Sequence, residues 1–151
     1  MAGPATVVSH GGARLNGSIS TQAEHPLALE LPAQPASVTH ARRLAASFAA
    51  SCGADAGGVE LAVGEAVGNA VLHAYRGDAS GDIRVDGAVE GDGLVIVVGD
   101  DGVGMRPDPS TRGLGFGLPL IAQLATAIEI TGSPKGGTEV RMRFEIPKVG
   151  S

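Results

Sequence analysis

Three stretches of the chain combine residue types at spacings that can do chemistry. Glu65 and Asn69 are four residues apart in an otherwise apolar run. On a helix they share a face, one turn and about 6 Å apart. A carboxylate and an amide in apolar surroundings are costly unless they meet a ligand or each other. That pairing suits a Glu that polarises a nucleophile and an Asn that binds a phosphate-bound metal. The same pair also reads as a polar stripe at a helix edge. Asp100-Asp101-Gly102-Val103-Gly104-Met105 follows an apolar run. Strand parity puts Asp100 on the face of Leu94, Ile96 and Val98, and Asp101 on the other. A carboxylate entering a core layer needs a donor, and the exocyclic amine of adenine is one. Gly102 and Gly104 let backbone approach a flat base, although an Asp-Gly pair is also an ordinary turn. In Arg112-Gly113-Leu114-Gly115-Phe116-Gly117-Leu118, alternate glycines precede a helix. They free backbone amides to hold phosphate, and Arg112 adds a cation. The spacing is neither a Rossmann nor a Walker loop, and a flexible loop with a glycine start fits it too. A fourth, weaker element is Gly136-Gly137-Thr138, where Thr138 can reach a base or its water. A hairpin turn is its plain reading.

These residues need a scaffold, and the hydrophobic pattern supplies one. Leu27, Leu29 and Leu31 alternate as a first strand. Ser37 is placed to cap a helix over about 38–51 that ends at Gly53. Asp55 is placed to cap a second helix reaching about Tyr75. Strands follow around Ile83–Val89 and Leu94–Val98, the latter apolar at every position and therefore central. A Gly- and Pro-rich loop spans about 99–115, a third helix about 116–126, and two more strands run through Ile128–Ile130 and Val140–Ile146. Most strands have one apolar and one polar face, so helices cover one side only. The expected fold is an α+β two-layer sandwich with a mixed, mainly antiparallel sheet. Residues 1–25 read as a flexible tail, 26–147 as the domain and 148–151 as a short C-terminal tail.

Composition narrows the function. The 151 residues make one domain's worth of chain. Glycine (24) and proline (9) form about a fifth of it, against an ordinary ~12%. The net charge is −5 with no basic cluster, and Phe48, Tyr75, Phe116 and Phe144 are the aromatic residues. Direct nucleic-acid binding is disfavoured on both grounds. Cys52 is the single cysteine, and the histidines are scattered, so neither a disulfide framework nor a zinc site is expected. No run reaches membrane-spanning length and no signal-like apolar stretch opens the chain, so a cytoplasmic protein is expected. Only Lys135 and Lys148 among 11 basic residues are lysine, which with the abundant Ala and Gly fits a GC-rich bacterial genome.

In order and spacing the four pieces resemble the histidine-kinase-like ATPase superfamily, which includes gyrase, mismatch-repair ATPases, a large heat-shock chaperone and sensor histidine kinases. Within it, Gly64-Glu65-Ala66-Val67-Gly68-Asn69-Ala70-Val71-Leu72-His73-Ala74-Tyr75 looks like the small anti-sigma-factor serine kinases. The resemblance implies the same two-layer fold and an ATP and magnesium site. It implies Glu65 as general base, Asn69 as the magnesium ligand, and Asp100 as the adenine acceptor, with Gly102 and Gly104 beneath the base. It implies Arg112, Gly113, Leu114, Gly115, Phe116 and Gly117 as lid and phosphate contacts, Thr138 as a helper at the adenine, and packing roles for His73 and Tyr75. The implied activity is that of an anti-sigma factor and protein serine/threonine kinase. It would hold a sigma factor and phosphorylate an anti-sigma antagonist, with Val95 and Val97 offering a homodimer patch. Two rivals stand beside it: an ATP-responsive partner-binding regulator without kinase activity, and an α/β domain whose glycine loops are structural. One departure is the short segment from Met105 to Gly113, with Pro107 and Pro109, where sporulation-type relatives have a longer lid.

Overall fold

The computed structural model describes residues 6–7, 26–74, 81–102, 118–132 and 136–148. Its strands are β1 (Thr6–Val7), β2 (Leu27–Pro32), β3 (Asp82–Glu90), β4 (Gly93–Asp100), β5 (Ala127–Gly132) and β6 (Thr138–Glu145). Its helices are α1 (Pro35–Cys52), α2 (Ala56–Asn69), which runs on into a π turn over Ala70–Ala74, and α3 (Leu118–Leu124). The strands form a six-stranded sheet in the order β1-β2-β3-β4-β6-β5, with all of these pairs antiparallel. This is the expected two-layer α+β sandwich, and its apolar strand, β4, is central.

The registers explain the layering. Leu29, Val85, Val98, Val140 and Ile130 form one row across the sheet, and Leu27, Gly87, Ile96, Met142 and Ile128 another. With the apolar faces of the helices they build one core that includes Ala41, Ala45, Phe48, Val59, Val63, Val67 and Ile121. Leu31, Ile83, Leu94, Ile96 and Met142 are fully buried, each contributing about 1.5–3 kcal/mol relative to exposure. Cys52 joins this core as a free thiol, its pKa pushed up by burial. Ile130 on β5 remains 38% exposed because that strand is the sheet edge.

Three local readings are corrected. Helix α1 begins at Pro35, ahead of the expected start, because proline's fixed φ suits a first helical turn. Gln34 is therefore the N-cap, and Ser37 lies inside the helix with its hydroxyl donating to the Pro32 carbonyl at 2.6 Å. Asp55 does precede α2, but its side chain makes no capping hydrogen bond. The expected unbroken helix to Tyr75 becomes a π turn after Asn69. Of the expected N-terminal tail, only Thr6–Val7 is described; it pairs with Glu30 and Leu29 of β2.

The outer sheet face is polar and laced by ion pairs. Arg141 pairs with Glu90 at 3.0 Å and Arg143 with Asp92 at 3.0 Å. Val95 is only 4% exposed there, and Val97 is half-buried. Both border a shallow depression of about 200 Å³ that also touches Ala28, Ala88 and Arg141. No helix among the described residues is long and apolar enough to cross a membrane.

Candidate nucleotide site

Strand parity carries β4 to its end. Leu94, Ile96 and Val98 are in the core, and Asp100, next on the same face, is buried at 5% exposure. Directly across the ladder stands Thr138, 3% exposed. The row at this end of the sheet therefore reads Leu31, Ile83, Asp100, Thr138, Gly132. A carboxylate and a hydroxyl replace the apolar side chains that fill the rows before it.

Burial is the leading influence on Asp100 and raises its pKa above the ordinary carboxylate value. Backbone hydrogen bonds from Gly102 and Thr138 act the other way, Asp101 adds a further upward push, and Arg84 a downward one. The Gly102 N–H donates to Asp100 Oδ1 at 2.9 Å. An ionised carboxyl accepts at about four lone-pair sites, so the two backbone donors among the described residues leave capacity for a ligand's donor.

The Gly136-Gly137 turn packs against the same place. Gly137 has φ +94°, and a Cβ there would collide with the Asp100 carbonyl and lie 2.8 Å from Asp101 Cα. A Cβ on Gly136 would lie 3.3 Å from the Gly102 carbonyl oxygen. The two glycines thus let β6 begin flush against the exit of β4. Sequence reading gave this turn only the plain role of a hairpin; the Gly-Gly pair was the available signal.

Helix α2 brings the other pair. Glu65 and Asn69 both lie in its regular α portion, so their shared face holds. The four-residue step turns Asn69 by about 40° relative to Glu65. Asn69 is buried at 7% exposure and Glu65 half-buried. The π turn starts directly after Asn69 and packs against β4. Such turns frequently occur at functional sites, because the wider turn re-aims the side chains beside it. On the same helix Leu61 and Leu72 are exposed, and among the described residues nothing lies within 4 Å of a Cβ on Gly68. Gly104, Arg112, Gly113, Leu114, Gly115, Phe116 and Gly117 lie outside the described residues, as do the side chain of His73 and all of Tyr75.

Arg84 was not singled out by its sequence context. It stands opposite Gly99 on the outer face, and its Nη1 pairs with Asp101 Oδ2 at 3.1 Å. Only the β3–β4 register brings it there.

These donors and acceptors fit an adenine nucleotide: a buried carboxylate with spare acceptor capacity and a hydroxyl beside it. Among the described residues no group of three or more His, Cys, Asp or Glu could cage a metal ion. An ion held by an amide oxygen and phosphates, as magnesium often is, needs no such group.

The class follows from this arrangement and its comparison. Residues 31–144 match the model of the histidine kinase-like ATPase domain. The chain belongs to that family, an ATPase family, and ATP is the nucleotide the site is expected to hold. As for its branch, the chain is similar to the crystal structure of the RsbU and RsbW domains of Rv1364c from Mycobacterium tuberculosis, at 25% identity and a TM-score of 0.61. The likeness covers 81% of this chain and 32% of the other, so this chain spans about a third of that relative's length. An RsbW domain as neighbour agrees with the anti-sigma branch to which the α2 motif points. No curated protein sequence matches.

Proposed function

We propose that the chain is an ATP-binding anti-sigma factor and protein serine/threonine kinase, sequestering a sigma factor and phosphorylating an anti-sigma antagonist. The buried Asp100 carboxylate opposite Thr138, at the β4 exit on the inner sheet face, is the observation that carries the ATP part. Asp100 accepts the exocyclic amine of adenine, and Thr138 supports the base. Asn69 holds magnesium, which supplies charge neutralisation at the phosphates. Glu65 accepts the proton of the attacking hydroxyl, a general-base role that its half-exposed place on α2 permits. The chemistry rests on positioning and electrostatics, with no covalent enzyme intermediate. Arg112 and residues 113–117 complete the phosphate contacts in the same reading, and Gly102 and Gly104 lie beneath the base. The cytoplasm is the setting, and a second copy docking on the Val95–Val97 face gives a homodimer, to be checked by sedimentation.

Calorimetry of Mg-ATP binding tests the site. Asp100→Asn is expected to weaken binding by about 1–3 kcal/mol, the value of a buried charge-assisted hydrogen bond; unchanged affinity removes Asp100 from the pocket. Labelled ATP with a candidate antagonist tests the activity. Transfer that disappears in Glu65→Ala while nucleotide binding persists supports the kinase. ATP binding with no transfer to any antagonist favours a regulator that sequesters its partner without phosphorylating it.

A further inference from the structure

Asp100 and Asp101 are neighbours of the same type at a strand end, and one of them must face the core. Parity sets the preference, but a strand end is where parity is easily lost. Several contacts hold the exit. Gly102 N–H binds Asp100 Oδ1 from within the turn. The Gly137 backbone lies against Asp100 and Asp101. Arg84 grips Asp101 from the outer face at 3.1 Å.

The outer face makes room for that grip. Glu30, Arg84, Gly99 and Glu139 form one row across the sheet. A Cβ on Gly99 would lie 2.9 Å from Arg84 Nη2 and 3.5 Å from Glu139 Cγ. The guanidinium therefore lies across Gly99 to reach Asp101, although Glu30 and Glu139 stand in its own row. The side chains of Arg84 and Asp101 are 38% and 67% exposed, so the pair adds little to folding stability. Its place beside the buried carboxylate gives it another use.

We propose that Arg84 is a positioning residue for purine selection: by holding Asp101 on the outer face it keeps the Asp100 carboxylate turned into the inner layer, where the exocyclic amine of adenine meets it. This rests on the reading of Asp100 as the adenine acceptor. Arg84 touches no nucleotide; it acts through the two-residue exit of β4. The same guanidinium favours the charged form of Asp100, which burial opposes.

The test compares Mg-ATP with the magnesium salt of purine riboside triphosphate, which lacks the exocyclic amine, by calorimetry. In Arg84→Ala, ATP affinity is expected to fall about two- to fivefold, the range of an exposed ion pair. Affinity for the purine riboside analogue stays unchanged, and so does Tm. Asp101→Asn reproduces the loss, the double variant loses no more than either single one, and Arg84→Lys recovers part of it. Gly99→Ala, which displaces the guanidinium without changing charge, gives the same selective loss. Equal losses for the two nucleotides, or none, overturn the role of Arg84 while Asp100→Asn still abolishes the preference for ATP. If wild type shows no preference and Asp100→Asn changes neither affinity, the acceptor reading itself fails and Arg84's role falls with it.

Discussion

The two ends of β4 are built alike on the outside and differently within. At the start of the strand, Arg143 lies over Gly93, within 2.6 Å of where a Cβ would sit, and pairs with Asp92. At its exit, Arg84 lies over Gly99 and pairs with Asp101. Beneath the first end, Leu94 faces Phe144, both buried. Beneath the second, Asp100 faces Thr138, equally buried. The first inner pair stabilises the fold. The second opposes it, since at Asp100 the cost of burying the charge outweighs the help of the Gly102 and Thr138 backbone hydrogen bonds. An arginine over a glycine therefore has no fixed meaning: at the hairpin it closes a turn, and at the exit it borders the inner row that holds a buried acid.

The largest effect should come from the apolar end. Leu94→Ala is expected to lower unfolding free energy by about 2–5 kcal/mol, read by urea denaturation, as for other fully buried leucines. A loss under about 1 kcal/mol would mean that the hairpin end is not core. Next is Gly137→Ala at the polar end, where the positive φ alone costs about 1–3 kcal/mol. Because its Cβ strikes the backbone of Asp100, ATP binding should be lost together with stability, and a variant that kept full affinity would detach the glycine turn from the site.

Asp100→Asn sharpens the contrast in a third way. Its pKa is raised in the folded protein, so the folded state holds the proton more tightly than the unfolded one. The stability this lends is present at low pH and is lost as pH rises through the folded pKa. Nucleotide-free Asp100→Asn should thus melt above wild type at neutral pH, with the gap closing on acidification, while it binds ATP more weakly. A variant destabilised at neutral pH would show that the carboxylate is structural. The smallest effect is expected for Gly93→Ala. It displaces the flexible end of Arg143 and should cost no more than about 1 kcal/mol. ATP affinity should not move, in contrast to Gly99→Ala at the opposite end.

Much of this architecture was readable from residue order. The alternation in β2, β3 and β6 announced one buried face, and the unbroken apolar run of β4 announced a central strand with Asp100 on the inner side. The spacing of Glu65 and Asn69 was readable because α2 is regular as far as Asn69. The π turn was not, since Ala70-Val71-Leu72-His73-Ala74 contains no breaker, and its contact with β4 appears only in the folded chain. The start of α1 was misplaced by a capping rule applied to Ser37, when Pro35 carried the stronger signal.

Sequence by itself determined which face of each strand is apolar, since that follows from a period of two along one segment. It also placed the acid at the end of β4 and the polar pair on α2. Tertiary structure alone decided that Thr138 stands across from Asp100, that Gly137 backs the exit of β4, and that Arg84 reaches Asp101. Each of these depends on the register between paired strands, β3 with β4 for Arg84 and β4 with β6 for Thr138 and Gly137. Register is a property of many rows packing together, and no single segment carries it.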